Sequence, residues 1–254
     1  MDLRNGAVER VTNMGSRGKS VEGGGSLVPS TTTEDYGGET SDVELKETPM
    51  SREDRDQVEG DWSKAYFGTG NSFKINGALV ALAEAGITDP TDEELAAELR
   101  NQHVSGENVY ETIKTIRTMD KIMRPLSGDI NVTRFAKDGM LKRILTANGI
   151  NMEIPSMADS GSNIKNFVDT IRDKIVGTNV FENKYLSTTY DVSTAFFKSR
   201  PIKLEILAPK GTMGVFSPVD DEAELAFSRK AGYTINDVSY DEHSRQIVLH
   251  VKMI

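Results

Sequence analysis

Apolar and polar positions along the chain divide it into two unlike parts. From Asp61 onward the pattern is periodic. In "FKINGALVALAEAG", Phe73, Ile75, Leu79, Leu82 and Ala83 recur at helical spacing, and Gly86 supplies a stop. "TDEELAAELRNQH" predicts a second helix, with Thr91 as N-cap and Glu94 three residues on, the pattern of a capping box. "SGENVYETIKTIRTMDKIMRPL" predicts a third, its stripe running through Val109, Ile113, Ile116, Met119 and Ile122 until Pro125 ends it.

The period then shortens. "DINVTRFA" alternates imperfectly as a strand, and "GMLKRILTANG" and "NIKNFVDTIRDKIVG" read as helices. They are followed by "KYLSTTY", a helical "DVSTAFFKS", and strands in "IKLEILAP", "ELAFSRKAGYTINDVSY" and "RQIVLHVKMI". Helices first and strands later predict an α+β domain.

Composition changes the picture for the first sixty residues. They are poor in large apolar side chains and carry runs such as "GSRGKSVEGGGS" and "PSTTTEDYGGETSDVE", which bury too little surface to offset ordering entropy. Residues 1–56 are therefore expected to be a flexible acidic extension and residues 57–254 the folded domain. Of the net charge of −9, residues 1–60 contribute −6, with 13 acidic against 7 basic side chains. The rest is close to neutral, which argues against nucleic-acid binding through a basic face. No run reaches the roughly 18 apolar residues of a membrane span, and the N-terminus lacks the apolar stretch of a secretory signal, so a soluble chain is expected. With no cysteine, thiol nucleophiles, thiolate metal sites and disulfides are excluded. His103, His243 and His250 lack ligand spacing and read as packed or solvated side chains.

Three stretches carry candidate chemistry. In "SPVDDEAELAF", Glu222 and Glu224 stand two apart at the opening of a strand, which puts both carboxylates on one face. Such a pair suits a site that meets positive charge; a solvated strand entry has the same look. In "YLSTTY", Ser187, Thr188 and Thr189 place three hydroxyls in a row. Arg134, in "INVTRFA", is a permanent cation inside an apolar strand pattern, where a partner anion is expected.

In this order, arginine on an early strand, Ser-Thr-Thr on a middle strand and Glu-x-Glu opening a later one, the motifs resemble the R-S-E signature of mono-ADP-ribosyltransferases, in the form that modifies arginine. "AYFGTGNSFKINGAL" looks like that family's tyrosine, glycine and "IN" helix opening. "STTYDVSTAFFKSRPIKLEILAPKGTMGVFS" is similar to the stretch after the Ser-Thr-Ser motif in the enzymatic components of clostridial binary toxins, and the closing strands are similar as well. The resemblance runs from roughly residue 57 to 254, and phage enzymes of the Alt type share it.

The resemblance implies a helical N-terminal part followed by a two-sheet β core, NAD as co-substrate and no metal. It implies that Arg134 holds the NAD phosphates and ribose, that Ser187 orients Glu224, and that Thr188 and Thr189 shape the nicotinamide pocket. Phe197 would lie against the nicotinamide end, Arg200 would be a second phosphate ligand, Glu224 would bind the ribose and Glu222 would receive the acceptor guanidinium. The implied partner is a target-cell protein with an accessible arginine. It would be reached in that cell's cytoplasm by secretion, by translocation with a separate delivery component, or by virion injection. An NAD glycohydrolase and an inactive binding module are the rival readings. Three departures from the family pattern stand out: a shorter loop before Glu222 without a glycine-aromatic tip, Phe135 where many relatives carry a second arginine, and Thr189 in place of serine.

Overall fold

The computed structural model describes Tyr66 and residues 71–195, 197–217 and 223–254; the expectation for residues 1–56 falls outside these. Among the described residues the chain forms five α-helices and nine strands, in the expected order of helices before most strands. Helix α1 (Asn71–Glu84) buries Ile75, Ala78, Leu79 and Leu82, and it stops at Gly86, whose φ of +85° is open to glycine without strain. Phe73, counted above with the apolar stripe, stays 65% exposed.

Helix α2 (Asp92–Asn101) begins with the expected capping box: Thr91 Oγ1 accepts from the Glu94 amide at 3.3 Å, and Glu94 Oε2 accepts from the Thr91 amide at 2.8 Å. Helix α3 (Gly106–Ile122) buries the whole predicted stripe together with Thr112 and Thr115. These two hydroxyls donate to Asn108 O (2.7 Å) and Glu111 O (2.9 Å), so neither is buried unsatisfied. Helices α4 (Asp138–Ala147) and α5 (Gly161–Ile175) follow as expected. No described helix is long and apolar enough to cross a membrane.

The strands are β1 (Arg124–Pro125), β2 (Ile130–Ala136), β3 (Asn179–Phe181), β4 (Leu186–Thr189), β5 (Ile202–Ala208), β6 (Met213–Phe216), β7 (Glu224–Phe227), β8 (Gly232–Asp241) and β9 (Gln246–Met253). They form one ladder in the order β1-β6-β7-β4-β2-β5-β9-β8-β3. The expected two-sheet core is present as two halves of that ladder, which meet only at Thr133↔Thr189 between β2 and β4. By contrast β2 and β5 pair over seven positions. The run read above as one strand from Glu224 to Tyr240 is two, β7 and β8, parted by a turn in which Lys230 has φ of 69°.

One apolar core lies between α4, α5 and the facing sides of both halves, and takes in Val132, Ile144, Ile171, Leu186, Leu204, Leu225 and Leu249. A second core packs α1–α3 with Tyr66 and Tyr185 onto the other side of β6 and β7, through Val215 and Ala226. A polar clamp ties this helical part to the sheet. Arg229, after β7, holds both oxygens of Asp120 on α3, with Nε at 2.9 and 3.0 Å and Nη2 at 2.8 Å. Tyr185 OH donates to the same carboxylate at 2.7 Å. Burial and the Asp120 charge push the Tyr185 phenol well above its ordinary pKa, so it remains a donor.

Asp120→Ala should therefore leave a poorly exposed guanidinium and a buried phenol without their shared acceptor. The expected cost is about 2 kcal/mol, read as a lower urea midpoint at unchanged slope; an unchanged midpoint would show that the clamp contributes nothing to stability.

Candidate active site

Strand register assembles the site. In β4 and β7, Ser187 pairs with Ala226 and Thr189 with Glu224. Opposed residues share a face and successive residues alternate, so Ser187, Thr189 and Glu224 lie together on the side that Ala226 presents to the helical core. Leu186, Leu225 and Phe227 take the opposite side, in the larger core. Thr188 goes with them. It is 4% exposed and donates Oγ1 to Leu225 O at 2.7 Å, a cross-strand bond on the core face. Thr189 instead caps the turn that follows, donating to Asp191 O at 2.8 Å and accepting from the Asp191 amide at 3.1 Å.

Arg134 sits where the two halves part. It shares its side of β2 with Val132 and Ala136, is half-buried, and donates Nη1 to the Ser187 carbonyl across the seam. Arg200 lies nearby. Its Nη1 donates to Phe135 O at 3.1 Å, and its guanidinium is 3.6 Å from the centroid of the Phe197 ring. Partial burial, and then the charge of Arg134, lower the Arg200 pKa.

The segment between β4 and β5 is not the predicted helix. It holds a single 3-10 turn, Val192–Thr194, capped by Asp191 through the Ser193 amide at 2.8 Å. β-branched Val192 and Thr194 disfavour helix, while the Asp191 side chain bonds the local backbone instead. Gln246 fixes the end of this segment, donating Nε2 to Lys198 O and Arg200 O, both at 2.7 Å.

Tyr66 and Asn76 complete the constellation, and no site role was read for either from the sequence; the only signal was the family-like "AYFGTGNSFKINGAL". Tyr66 OH lies 3.3 Å from Ser187 Oγ and accepts from Asn76 Nδ2 at 3.3 Å, while Asn76 Oδ1 accepts from the Tyr185 amide at 3.2 Å. Tyr66 stacks edge-on against Tyr185 with centroids 5.5 Å apart. Burial pushes its pKa up to about 12, Ser187 and Asn76 work against that shift, Glu224 adds to it and Arg134 opposes it. Tyr66 is thus sensitive to both the carboxylate and the guanidinium. Glu222 lies outside the described residues.

Pairwise contacts link these residues: Arg134 reaches the Ser187 carbonyl and is felt by Arg200, Arg200 lies over Phe197, and Tyr66 touches Ser187 and is sensitive to Glu224. Two like charges that disturb one another in a half-buried place are relieved by a bridging anion, which fits the pyrophosphate of a dinucleotide. Among the described residues no group of three or more His, Asp or Glu is placed to hold a metal ion.

Residues 64–254 match the family model of the ADP-ribosyltransferase exoenzymes. The fold is similar to that of the Clostridium limosum C3 exoenzyme, with a TM-score of 0.52 and 18% identity over 81% of this chain and 87% of that one. It is likewise similar to C3larvin toxin, an ADP-ribosyltransferase from Paenibacillus larvae, with a TM-score of 0.51 and 17% identity over 81% of this chain and 96% of that one. Comparison with curated proteins gives no match.

The raised Tyr66 pKa has a consequence for stability. The unfolded phenol ionises near its ordinary value of 10.0 and the folded one near 12, so stability held below pH 10 is lost as the pH rises toward 12. Tyr66→Phe should lose about 2 kcal/mol less than wild type between pH 9 and pH 11.5, as measured by urea unfolding at the two pH values. Equal losses would refute the shift.

Proposed function

The chain belongs to the family of ADP-ribosyltransferase exoenzymes, and from that premise we propose that it transfers ADP-ribose from NAD to arginine side chains of a target-cell protein, releasing nicotinamide. NAD is the co-substrate that such transfer requires. The observation that carries the reading is the register Thr189↔Glu224, which sets a carboxylate on the face of Ser187 and Tyr66, one strand from the seam that Arg134 spans.

On this reading Arg134 and Arg200 hold the pyrophosphate, two charge-assisted contacts that fix the dinucleotide before chemistry begins. Phe197, held flat beneath the Arg200 guanidinium and 46% exposed, offers a ring to the nicotinamide end. Cleavage of the nicotinamide–ribose bond leaves positive charge on the sugar, an oxocarbenium-like state of the kind met in glycoside hydrolysis. Glu224, bound to a ribose hydroxyl, stabilises that charge, and it does so mainly in the transition state, where the charge exists. Ser187 and Tyr66 position Glu224. The Tyr66 phenol is protonated at neutral pH at its ordinary pKa of 10.0, and burial pushes that up to about 12, so it serves as a hydrogen-bond partner there and not as a base.

Glu222 receives the acceptor. An arginine guanidinium, with a pKa above about 12, is a poor nucleophile while charged, so a carboxylate beside the ribosyl cation must hold and deprotonate it. The Glu-x-Glu spacing in the sequence supports this role. The setting we propose is the cytoplasm of a target cell, entered as a secreted or translocated effector or with a phage particle.

Separate substitutions test the two roles. Glu224→Gln should lower both ADP-ribosyl transfer and NAD hydrolysis by on the order of 10²–10³-fold. Glu222→Gln should lose arginine transfer while retaining hydrolysis. Transfer is read by mass spectrometry of a lysate incubated with NAD, which names both the protein and the modified residue. Full transfer by Glu222→Gln, or modification of a residue other than arginine, would overturn the acceptor assignment; free ADP-ribose alone would make the protein an NAD glycohydrolase.

A further inference from the structure

A second constellation lies on another stretch of the sheet, across β5, β9 and β8. Glu205 opposes His250 and His250 opposes Asp237, which puts Glu205, His250 and the diagonal neighbour Ser239 on one face, away from the larger core. His250 bridges its neighbours: Ser239 Oγ is 2.9 Å from Nε2, and Glu205 Oε2 is 3.1 Å from Nδ1. Lys203 Nζ meets the other carboxylate oxygen, Glu205 Oε1, at 2.6 Å. The remaining nearby acid, Asp237, is engaged by Arg172 Nε at 3.0 Å.

These contacts bias the imidazole's tautomer. Its hydrogen-bond contact with His250, followed by the contact with Lys203, holds the Glu205 pKa down to about 2 against the opposing effect of burial, so the group is a carboxylate at neutral pH and can only accept. The Glu205 charge, 3.1 Å from Nδ1, favours the tautomer of a neutral His250 ring that carries its proton there, although Nδ1 makes no aligned hydrogen bond. Nε2 is left with its lone pair toward Ser239, whose hydroxyl must then be the donor. A serine donating to an imidazole whose far nitrogen faces a carboxylate resembles the arrangement that activates a serine nucleophile.

We propose that Ser239, His250 and Glu205 form a second reactive site, a serine nucleophile that takes acyl groups from small carboxylic esters. Ser239 Oγ bonds to the acyl carbon while the ester C–O bond breaks. The hydroxyl proton passes to His250 Nε2 and then to the departing alcohol. Water, deprotonated by the same nitrogen, next displaces Ser239 and releases the carboxylic acid. The face is open, with the His250 and Glu205 side chains 19% and 35% exposed, so small activated esters are the substrate class that reaches it.

The full chain treated with a fluorophosphonate reporter, followed by peptide mapping, tests the site. Wild type should be labelled at Ser239 ahead of its other serines, and it should hydrolyse p-nitrophenyl acetate faster than Ser239→Ala. His250→Asn and Glu205→Gln should slow labelling by on the order of 10²-fold, while nicotinamide release from NAD by Ser239→Ala stays at the wild-type rate. Failure of wild type to label at Ser239 overturns the proposal whatever the variants do, and so does labelling that proceeds at the same rate in His250→Asn.

Discussion

The structure depends on how little joins β2 to β4. Seven register positions tie β2 to β5 and four tie β4 to β7, yet a single pair, Thr133↔Thr189, joins the two halves. A sheet that zipped fully at this point would give its backbone groups to the ladder and leave no cleft. Because it does not, the Ser187 carbonyl needs another donor, and Arg134 supplies one from across the seam. The guanidinium thus serves the backbone with one nitrogen and keeps further donors for an anion. That double duty explains why a cation stands in a strand otherwise flanked by Val132 and Ala136.

The helical part completes the other wall. Tyr66 is buried against Tyr185, and Tyr185 is anchored to Asp120, which Arg229 clamps from the end of β7. The chain of contacts Arg229–Asp120–Tyr185–Tyr66–Ser187 therefore runs from a sheet turn through α3 and back to β4. Each link in it is buried or partly buried, so moving the helices relative to the sheet would expose several unsatisfied polar groups at once. The position of Ser187 beside Glu224 is in this way set by packing well away from it.

Much of this was legible in the sequence, and the remainder was hidden for identifiable reasons. The capping box at Thr91 and the stripe from Val109 to Ile122 are local patterns, and local patterns specify helices. The Arg134, Ser187 and Glu224 motifs were read as a set; register puts Ser187 and Glu224 on one face, while Arg134, from the other side of β2, reaches the Ser187 carbonyl. Strands β1, β3 and β6 have two, three and four residues, too few for a period to show. The imperfect alternation of β2 reflects burial on both faces, since Thr133 and Phe135 are covered as well as Val132. Three adjacent hydroxyls look alike in the sequence, whereas alternation along a strand sends the middle one, Thr188, to the core side. The link of Ser239, His250 and Glu205 exists only through the pairing of three strands, and reading histidines by sequence spacing could not reveal it.

On the proposed reading, charge along the site follows the order it has along the substrate. Arg134 and Arg200 oppose each other at one end, where partial burial and mutual repulsion make their pairing costly without an anion between them. Glu224 lies toward the other end, near enough to Tyr66 to raise its pKa, in surroundings that amplify a carboxylate's effect on a nearby cation. A dinucleotide laid along this axis places its pyrophosphate at the positive end. The ribose carbon that turns positive as nicotinamide departs then lies beside the carboxylate. The ground state is held by contacts that do not change during reaction, and the carboxylate acts on the charge that does. On the proposed reading binding and bond cleavage fall to different residues on the two sides of one seam, and the Arg134 contact with the Ser187 carbonyl ties those sides together.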